Sequence, residues 1–334
     1  MYRIGIVGFG KMGILHGALL NGTGKASLVA ICDKSLVMRW GFKRVYPLVK
    51  TYDDIDKMLS QCKLDLVIIA TPTFNHMESA LKCIDKGCHV FVEKPLAINY
   101  QQAKAVMQAA QKKGVKIQVG FCNRFCPSII KGKQFIKDGE IGRLISANAF
   151  MYIADVFEAH SGWRYSKKTS GGGVLMDFGI HMLDEICWYF GKINTVQATA
   201  KRIYSQQVED ELNATINFEN GMNVIFDTSW SKENYRKSYS KLEITGDKGK
   251  LIVTDQTLTR YDLNQNIIEE YTYPQLYPGA FMDIGGLNYS YQIETLMELI
   301  DSKNDTTNIK DAVYDQFIVE KMYESAEKNT LIKC

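Results

Sequence analysis

The chain has no long apolar run. Its longest, Leu64 to Ala70, is interrupted by Asp65 and falls far short of the ~20 residues that cross a bilayer, which excludes a membrane-spanning helix. It also lacks a basic stripe: 40 basic and 37 acidic residues leave a formal charge of +3, which argues against a nucleic-acid partner. Paired-cysteine signatures are missing too. The closest of the eight cysteines, Cys122 with Cys126 and Cys83 with Cys88, do not match a CxxC metal or redox pair. Reduced, mostly buried thiols are expected. Internal repeats and low-complexity linkers are absent, and the opening residues enter an apolar strand at once, without the features of an export signal. A cytoplasmic location follows as an expectation.

What is present is ordinary globular material: 334 residues, 46% hydrophobic and 23% charged, enough for two domains. From Tyr2 to about Gly120, short apolar runs alternate with helical patterns, as in a parallel sheet covered by helices. The expected strands are Arg3 to Val7, Ser27 to Cys32, Leu64 to Ala70, His89 to Val92 and Lys116 to Val119. Helices are expected over Met12 to Leu20, Asp53 to Ser60, Asn75 to Lys86 and Asn99 to Lys113, the last two ending at Gly87 and Gly114. Beyond Gly120 the pattern changes to alternation, broken by one strong helix between Gly173 and Gly191. Six strands, from Asn194 to Tyr204 through Thr257 to Leu263, read as an antiparallel meander with turns at Glu219-Asn220-Gly221 and Gly246 to Gly249. Tyr289 to Ser302 and Ile309 to Lys328 return to helical spacing. The fold class is α/β, with a parallel-sheet domain over residues 1–121 and a mainly antiparallel α/β domain over residues 122–334.

Directly after the first strand stands Gly8-Phe9-Gly10-Lys11-Met12-Gly13, which opens a helix. In that context the glycines serve a tight turn, close approach to a pyrophosphate and helix-to-strand packing, with Phe9, Lys11 and Met12 lining the turn. Asp33, twenty residues beyond Gly13, can accept both hydroxyls of an adenosine ribose, which favours NAD over NADP. Lys34 beside it leaves NADP open. Thr71, Pro72, Asn75 and His76 follow the third strand at the edge that faces a cofactor in an open α/β sheet. Asn75 equally suits a helix cap.

Lys94, between Glu93 and Pro95 at the end of another such strand, faces a nicotinamide bound there, so that Glu93 and Lys94 both count as cofactor neighbours, and it can hold or shuttle an alcohol proton if partial burial lowers its pKa, with Glu93 orienting it. Asp177, His181 and Asp184 are spaced i, i+4 and i+7 after Gly171-Gly172-Gly173, so a regular helix places them on one face. His181 suits a general base, its unperturbed pKa being ~6.5. Asp177 can orient a hydroxyl, whereas Asp184 reads as a helix-surface or supporting residue.

The Glu93-Lys94-Pro95 tripeptide, together with Gly8 to Gly13, Asp33, Thr71-Pro72 with His76, Asn123-Arg124, Trp163-Arg164 and the Gly171 to His181 segment, resembles the glucose-fructose oxidoreductase / inositol dehydrogenase / rhizopine catabolism (Gfo/Idh/MocA) family. The resemblance implies a Rossmann domain joined to an antiparallel-sheet domain. It also implies hydride transfer between NAD or NADP and a secondary alcohol of a carbohydrate-like substrate without a metal, and a homodimer or homotetramer assembled through the second sheet. It adds Asn123, Trp163 and Arg164 near the cofactor and Arg124 near the substrate. Tyr152, Asp155, His160 and Tyr291 are further candidates to line a polyol pocket, while Arg124, Arg164 and Lys167 together leave an acidic sugar open. The alternatives from other classes are a non-catalytic dinucleotide sensor and a cofactor-retaining isomerase or glycoside-cleaving enzyme.

Overall fold

A computed structural model of the chain describes residues 1–273, 286–303 and 307–334. Contacts divide it into two units, and the first begins as the alternation predicts. Strands β1 (Tyr2–Val7), β2 (Ala26–Cys32), β3 (Lys50–Tyr52), β4 (Leu66–Ile69), β5 (His89–Val92) and β6 (Ile117–Val119) form one parallel sheet in the order β3-β2-β1-β4-β5-β6. Its central strands are sealed on both faces: Leu66, Val67, Ile68 and Ile69 are each 0% exposed. Helices α1 (Lys11–Gly22), α2 (Leu36–Val45), α3 (Ile55–Gln61), α4 (His76–Asp85) and α5 (Tyr100–Lys113) connect the strands. Asn99 caps α5 by accepting from the Gln102 N–H, and Gly114 ends it in the left-handed region at φ 67°. The strand order reverses between β1 and β4, which opens a crevice at their C-terminal ends. The β3 and α2 elements escape the sequence reading, because α2 buries only Phe42 and leaves Leu36, Val37 and Trp40 exposed, so no apolar stripe marks it.

The second unit is a nine-stranded sheet. Helix α6 (Pro127–Lys137) and strand β7 (Leu144–Tyr152) come first, then α7 (Lys167–Ser170), a π turn over Leu175–Gly179 and α8 (Ile180–Phe190). Strands β8 (Ile193–Lys201), β9 (Glu211–Phe218), β10 (Asn223–Ser229), β11 (Tyr239–Gly246), β12 (Gly249–Thr254), β13 (Thr257–Tyr261) and β14 (Ile267–Thr272) follow. The expected simple meander is corrected here. Strand β7 inserts between β10, to which it runs parallel, and β11, to which it runs antiparallel. Its inward Ala147, Ala149 and Met151 are buried but mostly small, so the alternation that makes it a central strand is faint in the sequence. Helix α8 and the π turn cover the inward face of the sheet. A Cβ on Gly179 would lie 2.8 Å from Thr228 Cγ2 of β10, so only glycine lets the turn sit this close.

The chain then returns to the first unit, which corrects the assignment of everything past residue 121 to the second. Helix α9 (Leu287–Asp301) sends Ile293, Leu296 and Met297 into the same core as Ile4, Ile6, Leu20 and Phe91. Asn308 pairs with the edge strand β6, accepting from Val119 N at 2.8 Å and donating to Val119 O at 2.9 Å. Lys116 Nζ donates to the carbonyls of Leu299 and Ile300 at 2.6 and 3.1 Å. From Tyr314 onward, α10 (Ile309–Lys328) serves the second unit, where Ser325 Oγ accepts from Ala198 N at 2.9 Å and the short β15 (Ile332–Lys333) pairs with β8.

Candidate active site

At the turn from β1 to α1 each glycine has a different reason. Gly8 sits at φ 86° with Ala70 O 2.6 Å from where a Cβ would be, and a Cβ on Gly13 would lie 2.1 Å from Gly8 O. Gly10, by contrast, faces open space. It caps α1 without a side-chain hydrogen bond, and no acidic residue occupies the first turn, so the N–H groups there are left for an anion. Phe9 is buried and donates its N–H to Asp33 Oδ2 at 2.7 Å, while Ser35 N donates to Asp33 Oδ1 at 2.7 Å, which fixes the carboxylate beside the turn. Lys11 and Lys34 are exposed and Met12 is half-buried. Arg39 Nη1 donates to the carbonyls of Asp33 and Lys34 at 2.6 and 2.9 Å. Across the crevice, Thr71 Oγ1 is buried with no hydrogen-bond partner among the described residues, a group a ligand would satisfy. Pro72 leads into a short 3-10 turn, and the half-buried Asn75 makes no side-chain cap for α4. Turn, carboxylate and orphaned hydroxyl together fit a dinucleotide.

Two buried histidines flank the turn that follows β5. His16 on α1 lies 2.6 Å through Nε2 from Glu93 Oε1, and Glu93 Oε2 accepts from Lys94 N at 3.3 Å. His76, at the start of α4, places Nδ1 2.8 Å from Pro95 O and Nε2 2.8 Å from Thr71 O. Burial lowers its pKa, so the ring is neutral and donates to only one of those carbonyls. His76 therefore sits between the Thr71 and Pro95 carbonyls and hydrogen-bonds one of them. Lys94 itself is half-buried at the C-terminal edge of the sheet.

In the second unit the π turn divides residues that even α spacing would align. Arg164 grips Asp177 Oδ2 through Nε and Nη2 at 2.7 and 2.6 Å and reaches Asp155 through Nη1 at 2.6 Å. His181 is buried, edge-on to Phe121 at 6.1 Å between ring centres. Asp184 is fully buried, not a surface residue, and takes a two-pronged bond from Arg124 at 2.7 and 2.8 Å. Lys167 pairs with Glu327 at 3.0 Å. All three cations considered for an acidic substrate are therefore already matched by carboxylates. Tyr152 is a further correction: it follows the inward Met151, so the strand period turns it to the sheet face away from α8, where it donates to Asp227 at 2.7 Å and packs with Tyr235 and Tyr239. Trp163 and His160 are exposed, the latter stacked on Tyr165, and Tyr291 is exposed on α9. Sequence reasoning missed Glu209, whose buried carboxylate accepts from Gly173 N, Leu175 N and Tyr323 Oη at 2.9, 3.0 and 2.8 Å. It seats the π turn, and a Cβ on Gly173 would lie 2.1 Å from Glu209 O, which explains a glycine there.

Asn123 bonds to Glu185, another residue the sequence reading passed over. Burial, reinforced by Asp184, pushes the Glu185 carboxyl up to about 8. The folded chain keeps a proton that the unfolded chain gives up near 4.5, so this group's contribution to stability is full below that pH and is lost as pH rises toward 8. Urea midpoints of Glu185→Gln against the parent are expected to diverge in the variant's favour between pH 5 and pH 8.5. A constant gap would mean that Glu185 is ionised throughout.

The sequence matches "Oxidoreductase family, NAD-binding Rossmann fold" over residues 2–121 and "GFO/IDH/MocA C-terminal domain" over residues 129–252. It is 29% identical to D-glucoside 3-dehydrogenase of Escherichia coli over 74% of this chain and 75% of that one. It is 27% identical to scyllo-inositol 2-dehydrogenase (NAD(+)) of Bacillus subtilis over 75% and 73%. Among solved structures, levoglucosan dehydrogenase in complex with NADH and levoglucosan superimposes with a TM-score of 0.89 over 99% of both chains at 22% identity, a likeness of fold.

Proposed function

The chain belongs to the Gfo/Idh/MocA family of NAD(P)-dependent dehydrogenases, and from that premise we propose that it transfers a hydride between nicotinamide and a secondary alcohol of a polyhydroxylated substrate, with Lys94 and His181 as its acid and base groups. An uncharged sugar or cyclitol suits the site better than a carboxylated sugar or a nucleotide-sugar. The observation that carries this choice is the pairing of Arg124, Arg164 and Lys167 with carboxylates of their own unit. It agrees with relatives named for a D-glucoside and scyllo-inositol.

Bound NAD supplies the hydride acceptor. The chain's own residues handle the proton: His181 takes it from the hydroxyl, and the Lys94 ammonium stabilises the oxygen as negative charge develops. Asp177, held by Arg164, orients the hydroxyl. The first α1 turn binds the pyrophosphate, Asp33 accepts from the adenosine ribose, and Thr71 completes its hydrogen bonding on the cofactor. Phe9, Lys11, Met12, Lys34, Pro72, Asn75, Asn123 and Trp163 border the same ligand.

Fluorescence titration of cofactor-free protein with NADH and with NADPH tests the reading. Saturable binding with NADH preferred is expected. Asp33→Ala should weaken NADH binding about 10- to 100-fold, the worth of one or two hydrogen bonds to a charged acceptor, and narrow its lead over NADPH. No binding of either dinucleotide overturns the proposal. A screen of polyols and sugars by nicotinamide absorbance then follows.

The outer face of the second sheet, with Phe150, Tyr239 and Ile225 partly or wholly exposed, is the surface for a homodimer or homotetramer. Light scattering at micromolar concentration checks this. Among the described residues no helix is long and apolar enough to cross a membrane, and all eight cysteines are free.

A further inference from the structure

Resting on the reading of Lys94 above, we infer that His16 is a positioning residue that ties the Lys94 turn to the dinucleotide-binding helix. His16 lies three residues past Gly13, on the buried side of α1, and is 0% exposed. Its Nε2 is 2.6 Å from Glu93 Oε1, and the other oxygen of that carboxylate accepts from Lys94 N at 3.3 Å. The chain of contacts runs from the helix that begins at the phosphate turn, through one imidazole and one carboxylate, to the backbone of Lys94.

The surroundings leave the pair little room to move. Phe91 meets the imidazole edge-on at 4.9 Å. At the end of β6, a Cβ on Gly120 would lie 3.0 Å from Glu93 Oε2, so a larger residue there would press on the carboxylate. His16 Nδ1 is buried with no hydrogen-bond partner among the described residues. A proton on Nδ1 would be a buried, unmet donor, whereas a proton on Nε2 meets the Glu93 carboxylate directly. The geometry therefore selects the Nε2–H tautomer, with the histidine as donor and Glu93 as acceptor on both its oxygens. One residue beyond Lys94, Pro95 O lies 2.8 Å from His76 Nδ1, so the Lys94 turn stands between two buried histidines.

Two measurements test this on the intact 334-residue chain. In the parent, nitrogen NMR of labelled histidine should show His16 protonated at Nε2, with a strongly downfield N–H that shifts upfield in Glu93→Gln; a ring protonated at Nδ1 overturns the inference without any variant having to fold. The second is hydrogen exchange at the Lys94 amide, with and without saturating NADH. His16→Leu should raise exchange at Lys94 about tenfold in the free protein and abolish the slowing that NADH brings. The amides of Ile4 to Val7 in β1 should change less than twofold. His16→Gln, which keeps an N–H donor, should restore the parent pattern. Equal loosening of β1 and Lys94 in His16→Leu, or none at Lys94, makes His16 a packing residue and overturns the inference. If the parent binds NADH but its Lys94 exchange does not respond, the coupling fails while the cofactor site stands. Failure of the parent to bind NADH fails the underlying reading instead, and the tautomer still decides the contact.

Discussion

Lys94→Ala should lower kcat about 10²- to 10⁴-fold while NADH affinity stays within about threefold, the range by which a positioned acid–base group speeds a reaction. The prediction follows from where the lysine stands. It ends β5 at the C-terminal edge of the parallel sheet, but the turn, carboxylate and hydroxyl that suit the dinucleotide lie elsewhere, at Gly8 to Gly13, Asp33 and Thr71. Losing the ammonium therefore removes charge stabilisation at the reacting oxygen and leaves cofactor binding intact. His181→Ala should act in the same way, through loss of the proton acceptor. Steady-state oxidation of whichever polyol or sugar the screen identifies, with NADH titrated separately, separates the two effects. Turnover near the parent's in both variants would sink the acid–base assignment, and loss of NADH binding in Lys94→Ala would move the lysine into the cofactor site.

Asp184→Ala should cost about 3–5 kcal/mol of unfolding free energy, the largest stability loss expected from a single polar substitution here. Both charges of the pair are out of water: Asp184 has a side-chain exposure of 0% and Arg124 of 10%. Truncating the aspartate takes the carboxylate from a mostly buried guanidinium that also lies over the Trp188 ring, 5.4 Å from its centre. Replacing both partners, as Arg124→Met with Asp184→Leu, should recover most of the loss, because an apolar pair of similar volume needs no compensation. Urea unfolding followed by tryptophan fluorescence measures each. A cost under about 1 kcal/mol for Asp184→Ala would show that Arg124 finds water or another acceptor when its partner is gone.

The parts of the fold legible in the sequence are those with a strong local signal: an unbroken apolar run, a glycine-rich turn after a strand, or sustained helical spacing. Strand β4 and the glycines of the first turn needed no tertiary information, and α10 was placed at its observed ends. Strand β7 and helix α2 were not legible, one because alanine does most of its inward packing, the other because it buries a single side chain. At the site, residue types were easier to find than their partners. The spacing of Asp177, His181 and Asp184 suggested one shared face, but the π turn and two arginines draw them to different neighbours. His16 carries a signal of its own: a polar residue at the position of α1 that, with Gly13 and Leu20, points inward. Its carboxylate partner lies 77 positions away, which no local pattern reveals.

The return of α9 and Asn308 to the first unit bears on how the chain is made. A ribosome releases β1 to β6 long before it reaches Asn308, so for about 10 to 40 seconds, at about 5–20 residues per second, the nascent Rossmann sheet lacks the Asn308 partner of β6 and the Ile293, Leu296 and Met297 share of its core. During that interval the exposed apolar surface and unpaired edge favour aggregation, and a chain stopped near residue 120 would keep that stickiness permanently.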